Sequence, residues 1–173
     1  MQRKSRMLVL CSFFAALIAV CAQIQVPTPY VPVNLALFAV YLAGALLGPL
    51  YGGISTLVYL IMAMVGVPVL AGLRGGLGTL VGPTGGYAVG YFVVAVVTGI
   101  GRRYWGMGFW KISISMVIGT VLCYILGTGW FMIVSGSSLA ASLAYCIWPF
   151  IPGDLLKIGL AAGLSLRLRR FCP

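Results

Sequence analysis

Long apolar segments follow one another along this sequence and restrict its fold more than any other feature. The segment 7–24 carries no charge, and about 20 apolar residues are enough for a helix to cross a bilayer. Of all residues, 62% are hydrophobic and 7% are charged. Eleven basic residues and one acid cannot cover a soluble globule of this size. The sequence therefore predicts an all-α integral membrane protein with a single domain over residues 1–173.

Turn-forming and polar segments divide the apolar stretches into six predicted transmembrane helices. Three prolines exclude a helix interior within 25–34, and glycine-rich segments predict turns at 48–53 and 68–82. A polar connection follows at 102–111, and 135–153 is predicted as a loop with a short amphipathic piece. The predicted helices are 7–24, 35–47, 53–66, 83–101, 112–134 and 154–168.

The basic residues predict how this bundle is oriented in the membrane. Nine of them form three clusters: before the first helix, between the fourth and fifth, and at the end of the chain. Six helices place all three clusters on one side, and the positive-inside rule makes that side, with both termini, cytoplasmic. The net charge of +10 then reflects orientation and contact with anionic lipid headgroups, not nucleic-acid binding. The clusters are Arg3, Lys4 and Arg6; Arg102, Arg103 and Lys111; and Arg167, Arg169 and Arg170.

The sequence lacks the residues that most catalytic chemistry uses. It has no histidine and no glutamate, and Asp154 is its only acid. Histidine-based catalysis, carboxylate pairs and His/Glu zinc sites are thereby excluded. No G-x-x-x-x-G-K-[ST] motif occurs, so the chain does not hydrolyse nucleotides by itself. The five cysteines show no C-x-x-C spacing. We predict no enzyme, no metal site and no cofactor.

Three ionisable residues remain once the cytoplasmic clusters are set aside, and they are the candidate site. They are Arg74, Asp154 and Lys157, all near the predicted outer ends of the helices. Ionisable groups in a membrane are costly and tend to serve a function. Asp154 and Lys157 lie three positions apart and so share one face of the last helix. The alternative interpretation is that Asp154 only caps this helix while Lys157 extends outward to the interface.

Small residues at helical spacing form a second kind of motif. The sequence Gly-Pro-Thr-Gly-Gly-Tyr (82–87) opens the fourth helix, and its Gly82 and Gly86 share a face with Gly90, which favours close helix packing. Free backbone N–H groups at such a helix entry also suit a polar or anionic ligand. Small residues four positions apart recur on other helices, where internal packing is the default interpretation. The pairs are Ala15 and Ala19, Gly44 and Gly48, and Gly159 and Gly163.

Three stretches of the sequence carry a specific resemblance: VPVNLALFAVYLAGALLGPLYGG (31–53), VGVPVLAGLRGGLGTLVGPTGGYAVGY (65–91) and WPFIPGDLLKIGLAAGL (148–164). Together they resemble the BioY family, the biotin-binding S-components of energy-coupling factor transporters. The combination of Gly-Pro-Thr-Gly-Gly-Tyr with a later Pro-Gly-Asp-x-x-Lys is specific, and the similarity covers most of the chain in the family's order. Ala88 and Tyr91 depart from the family pattern, in which Leu and Phe are commoner.

The resemblance implies a function, partners and a location. It implies six helices in a bacterial cytoplasmic (inner) membrane and a biotin site near the outer face, with Asp154 and Lys157 in contact with biotin. The motif 82–87, including Gly86, would flank the pocket. Ala15 and Ala19 would dock on a transmembrane coupling subunit that works with ATPase subunits.

The chemistry of biotin suggests further contacts. Its ureido ring offers two N–H donors and one carbonyl acceptor, its thiophane ring is apolar, and its tail ends in a carboxylate. Neutral hydrogen bonds are expected from Asn34, Thr84 and Tyr87. Aromatic side chains of the outer loops, Trp148 and Phe150, either cover the apolar ring or anchor the protein at the interface. The sequence leaves open whether Lys157 or Arg74 meets the carboxylate.

Other functions compete with biotin capture. The first is import of another small vitamin, which the two specific motifs disfavour. The second is an intramembrane enzyme with Lys157 as base and a serine nucleophile, but the serines near its outer end lie in one loop with no defined spacing. A scaffold without a ligand would have no reason to keep Asp154 and Lys157. The serines in question are Ser135, Ser137, Ser138 and Ser142.

Overall fold

The chain folds almost entirely into helices, as the sequence predicts. The structure, a computed structural model, describes residues 2–26 and 33–170, without the side chains of residues 2 and 3. The predicted proline-rich connection therefore lies mostly outside the described residues, as does Cys172. The elements are α1 (Gln2–Gln23), β1 (Gln25–Val26), β2 (Val33–Asn34), α2 (Ala36–Met64), α3 (Leu77–Val81), α4 (Gly85–Trp105), α5 (Phe109–Ser135), α6 (Leu139–Cys146) and α7 (Ile151–Leu168).

Four of these helices are long and apolar enough to cross a membrane, and a fifth candidate arises if the bent pair α6–α7 counts as one span. Several helices extend beyond their predicted bounds. The first basic cluster lies within α1 instead of preceding it, and α4 continues past 101 until Gly106 ends it with φ 81°. Helices can run past the apolar segment because charged residues such as Arg and Lys are good helix formers.

The second and third predicted helices are joined in α2, which reverses direction at Gly48. That residue has φ 81° and ψ −177°, a conformation essentially reserved for glycine, and Pro49 follows it. A Cβ on Gly52 would lie 2.9 Å from the Ala43 carbonyl oxygen. Residues this far apart on one straight helix would be about 13 Å apart, so α2 consists of two antiparallel arms, 36–47 and 49–64. The predicted turn over 48–53 is thus wrong in extent: the reversal needs only Gly48.

Close contacts between glycines and neighbouring helices hold the centre of the bundle together. A Cβ on Gly86 would lie 2.4 Å from Cβ of Trp130, and one on Gly90 would lie 2.5 Å from Sγ of Cys123, so α4 and α5 approach closely here. This confirms the packing interpretation of that glycine face. Gly159 and Gly163 on α7 have no neighbour within 4 Å of the equivalent position among the residues that the structure describes. For that pair, the expected internal packing is wrong.

Two structured segments cover the end of the bundle that carries the candidate site. Strand β1 pairs antiparallel with β2, and Leu70 forms a bridge with Arg74 in the predicted glycine-rich loop. At the opposite end, the Arg102 guanidinium donates to the Leu46 carbonyl beside the reversal of α2. The loop between α2 and α4 therefore lies at the end of the bundle remote from the basic cluster at 102–111.

Candidate ligand-binding site

A cavity opens among the N-terminal ends of α2, α4 and α7 and the segment that connects α2 to α4. Its volume is about 90 Å³, whereas a single water needs only about 10–15 Å³. The space is therefore larger than a packing defect, and most of its wall is apolar. The lining residues are Asn34, Leu37, Tyr59, Leu70, Ala71, Arg74, Thr79, Leu80, Thr84, Gly85, Tyr87, Ala88, Tyr91, Cys123, Tyr124, Phe150, Asp154 and Lys157.

A buried ion pair forms the polar part of this cavity. Nζ of Lys157 lies 2.7 Å from Oδ1 of Asp154, and the two residues are 8% and 3% exposed. The Tyr124 hydroxyl on α5 donates to the other carboxylate oxygen at 2.6 Å. Both oxygens of Asp154 are thus engaged, and the carboxylate balances the charge of Lys157 next to the cavity.

This geometry contradicts the capping interpretation of the pair. Among the described residues, the Asp154 carboxylate accepts from two side chains and from no backbone N–H group. Lys157 is buried and turns toward Asp154 instead of extending to the interface. The only acid of the chain therefore serves a buried polar cluster inside the bundle, where removing it would leave a desolvated ammonium group without a counterion.

Arg74 contributes a second cation to the same cavity, in a different environment. It lies in the segment between α2 and α4, is exposed, and lines the opening. The part of the chain that the structure describes offers its guanidinium no ion-pair or hydrogen-bond partner. The cavity thus has a lysine neutralised by Asp154 within and, at its exposed edge, an arginine to which no described residue is paired.

Asn34 and Tyr91 form a neutral hydrogen-bonding group on another wall. The Asn34 side-chain oxygen Oδ1 accepts from the Ala36 backbone N–H at 3.1 Å and from the Tyr91 hydroxyl at 3.3 Å. Thr84, immediately before α4, lines the cavity without making a side-chain cap hydrogen bond. These groups provide uncharged polar contacts beside the ion pair.

Most of the predicted site residues meet at this cavity, with one exception. Asn34, Arg74, Thr84, Tyr87, Asp154 and Lys157 all line it. Gly86 does not, because it faces Trp130 on α5. Tyr87 lines the cavity, and its hydroxyl is hydrogen-bonded to Thr128 at 2.9 Å.

The two loop aromatics that the sequence singled out lie in different environments. Phe150 is 9% exposed and lines the cavity. Trp148 is 71% exposed and is not part of the lining. Phe150 is therefore the one of the two that is placed to cover an apolar ring.

Sequence reasoning missed several residues that shape the site. Tyr124 is the most important, since it binds Asp154 from a position 30 residues away. Gln23 is another: its amide nitrogen donates to the carbonyls of Val69 and Leu70, and its oxygen accepts from Leu73 N. An amide near the end of the apolar segment 7–24 was the available signal for Gln23, because such a group needs partners where water is scarce.

Ala15 and Ala19, the predicted docking pair, are not on the exposed surface of α1 that docking on another protein requires. Ala15 is 1% exposed and belongs to the core, and Ala19 is partly buried against it. Ala15 therefore presents no surface to another protein in this conformation. The small residues that α1 exposes at the same spacing are Ser12 and Ala16.

Comparison with known proteins identifies the family. The sequence pattern of the BioY family matches residues 1–173. The chain belongs to the BioY family. It is similar to the probable biotin transporter BioY of Pyrococcus horikoshii, with 35% identity over 169 residues, 96% of this chain and 98% of the relative. The biotin transporter BioY of Thermotoga maritima is 36% identical over 168 residues, 95% of this chain and 96% of the relative.

A solved structure has the same fold as this BioY family member. The chain is similar to the crystal structure of the S-component for biotin from an ECF-type ABC transporter, with a TM-score of 0.91 and 29% identity. The match covers 98% of this chain and 93% of that one. The resemblance seen in the sequence is confirmed, and the comparisons favour a transport protein over the enzyme and scaffold alternatives.

Proposed function

We propose that this protein is the substrate-capture subunit of a biotin uptake transporter. The observation that carries the proposal is the largely apolar cavity with the neutralised pair Asp154–Lys157 in its wall. Sites for small ligands are mostly apolar and carry a few precisely placed polar groups. The names of the relatives and of the solved S-component support biotin as the ligand.

The ureido ring is proposed to bind beside the ion pair. This ring is neutral and carries both donors and an acceptor. The Asp154 oxygens have further lone pairs to accept ureido N–H groups, and Lys157 has further N–H groups to donate. A neutral ligand group adds no uncompensated charge to the buried pair. The apolar wall, including Phe150, suits the thiophane ring.

The biotin carboxylate is proposed to meet Arg74 and not Lys157. Asp154 already neutralises Lys157, so a second carboxylate beside it would leave a buried negative charge in excess, which is costly. Within residues 2–26 and 33–170, Arg74 has no such partner, and it lies where the cavity is exposed. A guanidinium also binds a carboxylate in a two-pronged geometry. Thr84 and Tyr87 remain proposed contacts, and Gly86 is proposed only to permit close packing of α4 on α5.

The orientation in the membrane is proposed from the chain's own geometry. Six crossings result if α1, both arms of α2, α4, α5 and the pair α6–α7 each count once. The three basic clusters then share the cytoplasmic side with both termini, and the cavity faces outward in a cytoplasmic membrane. Contact with anionic lipid headgroups accompanies the basic side.

Transport is proposed to need a transmembrane coupling subunit and ATPase subunits, because the sequence carries no nucleotide-binding motif. In place of Ala15 and Ala19, the docking face is proposed to contain Ser12 and Ala16, which α1 exposes. Small exposed residues at this spacing allow another helix to approach closely.

Equilibrium titration of the purified protein in detergent with radiolabelled biotin tests the function. Saturable binding without ATP or metal is expected, and thiamine and riboflavin should not compete. Asp154→Asn should weaken binding about tenfold or more, because it removes a charge-assisted acceptor. Lys111→Gln, which removes a cation at the opposite end, is the matched control and should bind normally. Absence of saturable binding by folded wild-type protein would contradict the proposal.

A further inference from the structure

The hydrogen bonds around Asn34 decide which part of its amide is available to a ligand. The backbone N–H of Ala36 can only donate, so the group that it contacts at 3.1 Å must be the amide oxygen. The Tyr91 hydroxyl donates to the same oxygen at 3.3 Å. A carbonyl oxygen has two lone pairs, and both are now used.

The amide nitrogen of Asn34 is in the opposite situation. No residue in the described ranges 2–26 and 33–170 accepts a hydrogen bond from it, yet Asn34 lines the cavity. Its two N–H groups are therefore the part of the amide left for a ligand. A free asparagine presents either a donor or an acceptor by rotating its amide, whereas the two bonds to Oδ1 oppose that rotation.

We propose that Asn34 is held as a hydrogen-bond donor toward the cavity by Ala36 and Tyr91, and that this polarity selects ligands with a carbonyl oxygen at that position. Tyr91 acts through Asn34 and is a positioning residue. The inference rests on the proposed function, in which the carbonyl is that of the ureido ring. If a ligand carries N–H groups in place of that carbonyl oxygen, these donors face the N–H donors of Asn34 and no hydrogen bond forms.

The ligand 2-iminobiotin provides the probe for this polarity. It differs from biotin where a C=NH group replaces the ureido carbonyl, and at neutral pH that group is a protonated, guanidinium-like donor. Wild-type protein should prefer biotin strongly. Asn34→Asp keeps an oxygen for the Ala36 and Tyr91 donors, replaces the amide donor with a carboxylate acceptor and adds one negative charge, so the polarity toward the ligand is reversed.

The experiment measures dissociation constants for biotin and 2-iminobiotin with wild type, Asn34→Asp, Tyr91→Phe and the exposed control Tyr104→Phe. Asn34→Asp should weaken biotin binding about tenfold or more, because the carbonyl oxygen of biotin then faces a carboxylate oxygen instead of an N–H donor. The same variant should tighten 2-iminobiotin binding, because the N–H groups of that ligand then face an acceptor. Tyr91→Phe should lower the preference for biotin about twofold to fivefold, because one of the two bonds that fix the amide is lost. Tyr104→Phe should match wild type.

Three results would overturn the inference, and they are distinguishable. Wild-type protein that binds no biotin refutes the proposed function and this inference with it. Biotin binding by Asn34→Asp at wild-type affinity refutes the donor role alone. If Tyr91→Phe weakens both ligands by the same factor, Tyr91 supports the fold and does not orient Asn34.

Discussion

Replacement of the buried ion pair by apolar residues should separate its role in binding from its role in stability. At 2.7 Å and an effective dielectric constant of about 20, the attraction between Lys157 and Asp154 is roughly 6 kcal/mol. Desolvation of both groups offsets much of it. Removing one partner of a buried pair typically costs about 3–5 kcal/mol, whereas replacing the whole pair with apolar residues is often neutral or stabilising.

The variants follow from that difference. Lys157→Met alone should lower the free energy of unfolding by about 3–5 kcal/mol, because the carboxylate stays buried without its cation. The triple variant Tyr124→Phe, Asp154→Leu, Lys157→Met should be about as stable as wild type, since no polar group of the cluster is left without a partner. The adjoining cavity provides room for the larger leucine.

Unfolding in mixed detergent and SDS micelles measures the stability, and labelled biotin measures binding to the same samples. The triple variant should be folded and should bind biotin at least about a hundredfold more weakly, because two charged contacts at about 1.5–3 kcal/mol each are lost. Wild-type affinity in the triple variant would refute the pair as the ureido site. A triple variant less stable than Lys157→Met would refute the electrostatic reasoning.

Four further variants test the site and the proposed docking face by separate measurements. Arg74→Gln should weaken biotin binding about tenfold while leaving biotin amide, which lacks the carboxylate, unaffected; equal losses for both ligands would contradict the carboxylate contact. Gln23→Ala should accelerate biotin release in a stopped-flow experiment, because the segment 69–73 loses three hydrogen bonds to α1; an unchanged release rate would show that this anchor does not hold the ligand. Ala16→Trp should abolish partner-dependent uptake in cells and spare biotin binding, whereas Ala15→Trp should impair folding because Ala15 is buried; normal uptake with Ala16→Trp would exclude this face of α1.

The sequence by itself determined the helical segments and the chemistry that the site can use. Apolar runs of spanning length left helices as the available elements, because a bilayer offers backbone groups no other partner. The scarcity of acids drew attention to Asp154, and its spacing of three residues from Lys157 placed both side chains on one face of α7. The pair, the loop arginine Arg74 and Asn34 were therefore predictable, and all four line one cavity.

Contacts between segments that are distant along the chain could not be predicted from the sequence. Tyr124 reaches Asp154 from α5, and Tyr91 reaches Asn34 from α4; a tyrosine in an apolar helix looks the same wherever its hydroxyl points. Gly48 alone reverses α2, although the sequence could not distinguish it as a turn residue from the other glycines nearby.

Only the tertiary structure decided which face of each helix meets the protein and which meets lipid. In water, polar residues mark the outer face of a helix, but lipid tails are as apolar as the side chains of the core. The pattern of α1 therefore could not distinguish Ala15, which is buried, from its neighbour Ala16, which is exposed. The rotation of each helix about its own axis is fixed by close packing and by a few buried hydrogen bonds. These contacts produce no periodic pattern in the sequence from which the buried face could be predicted.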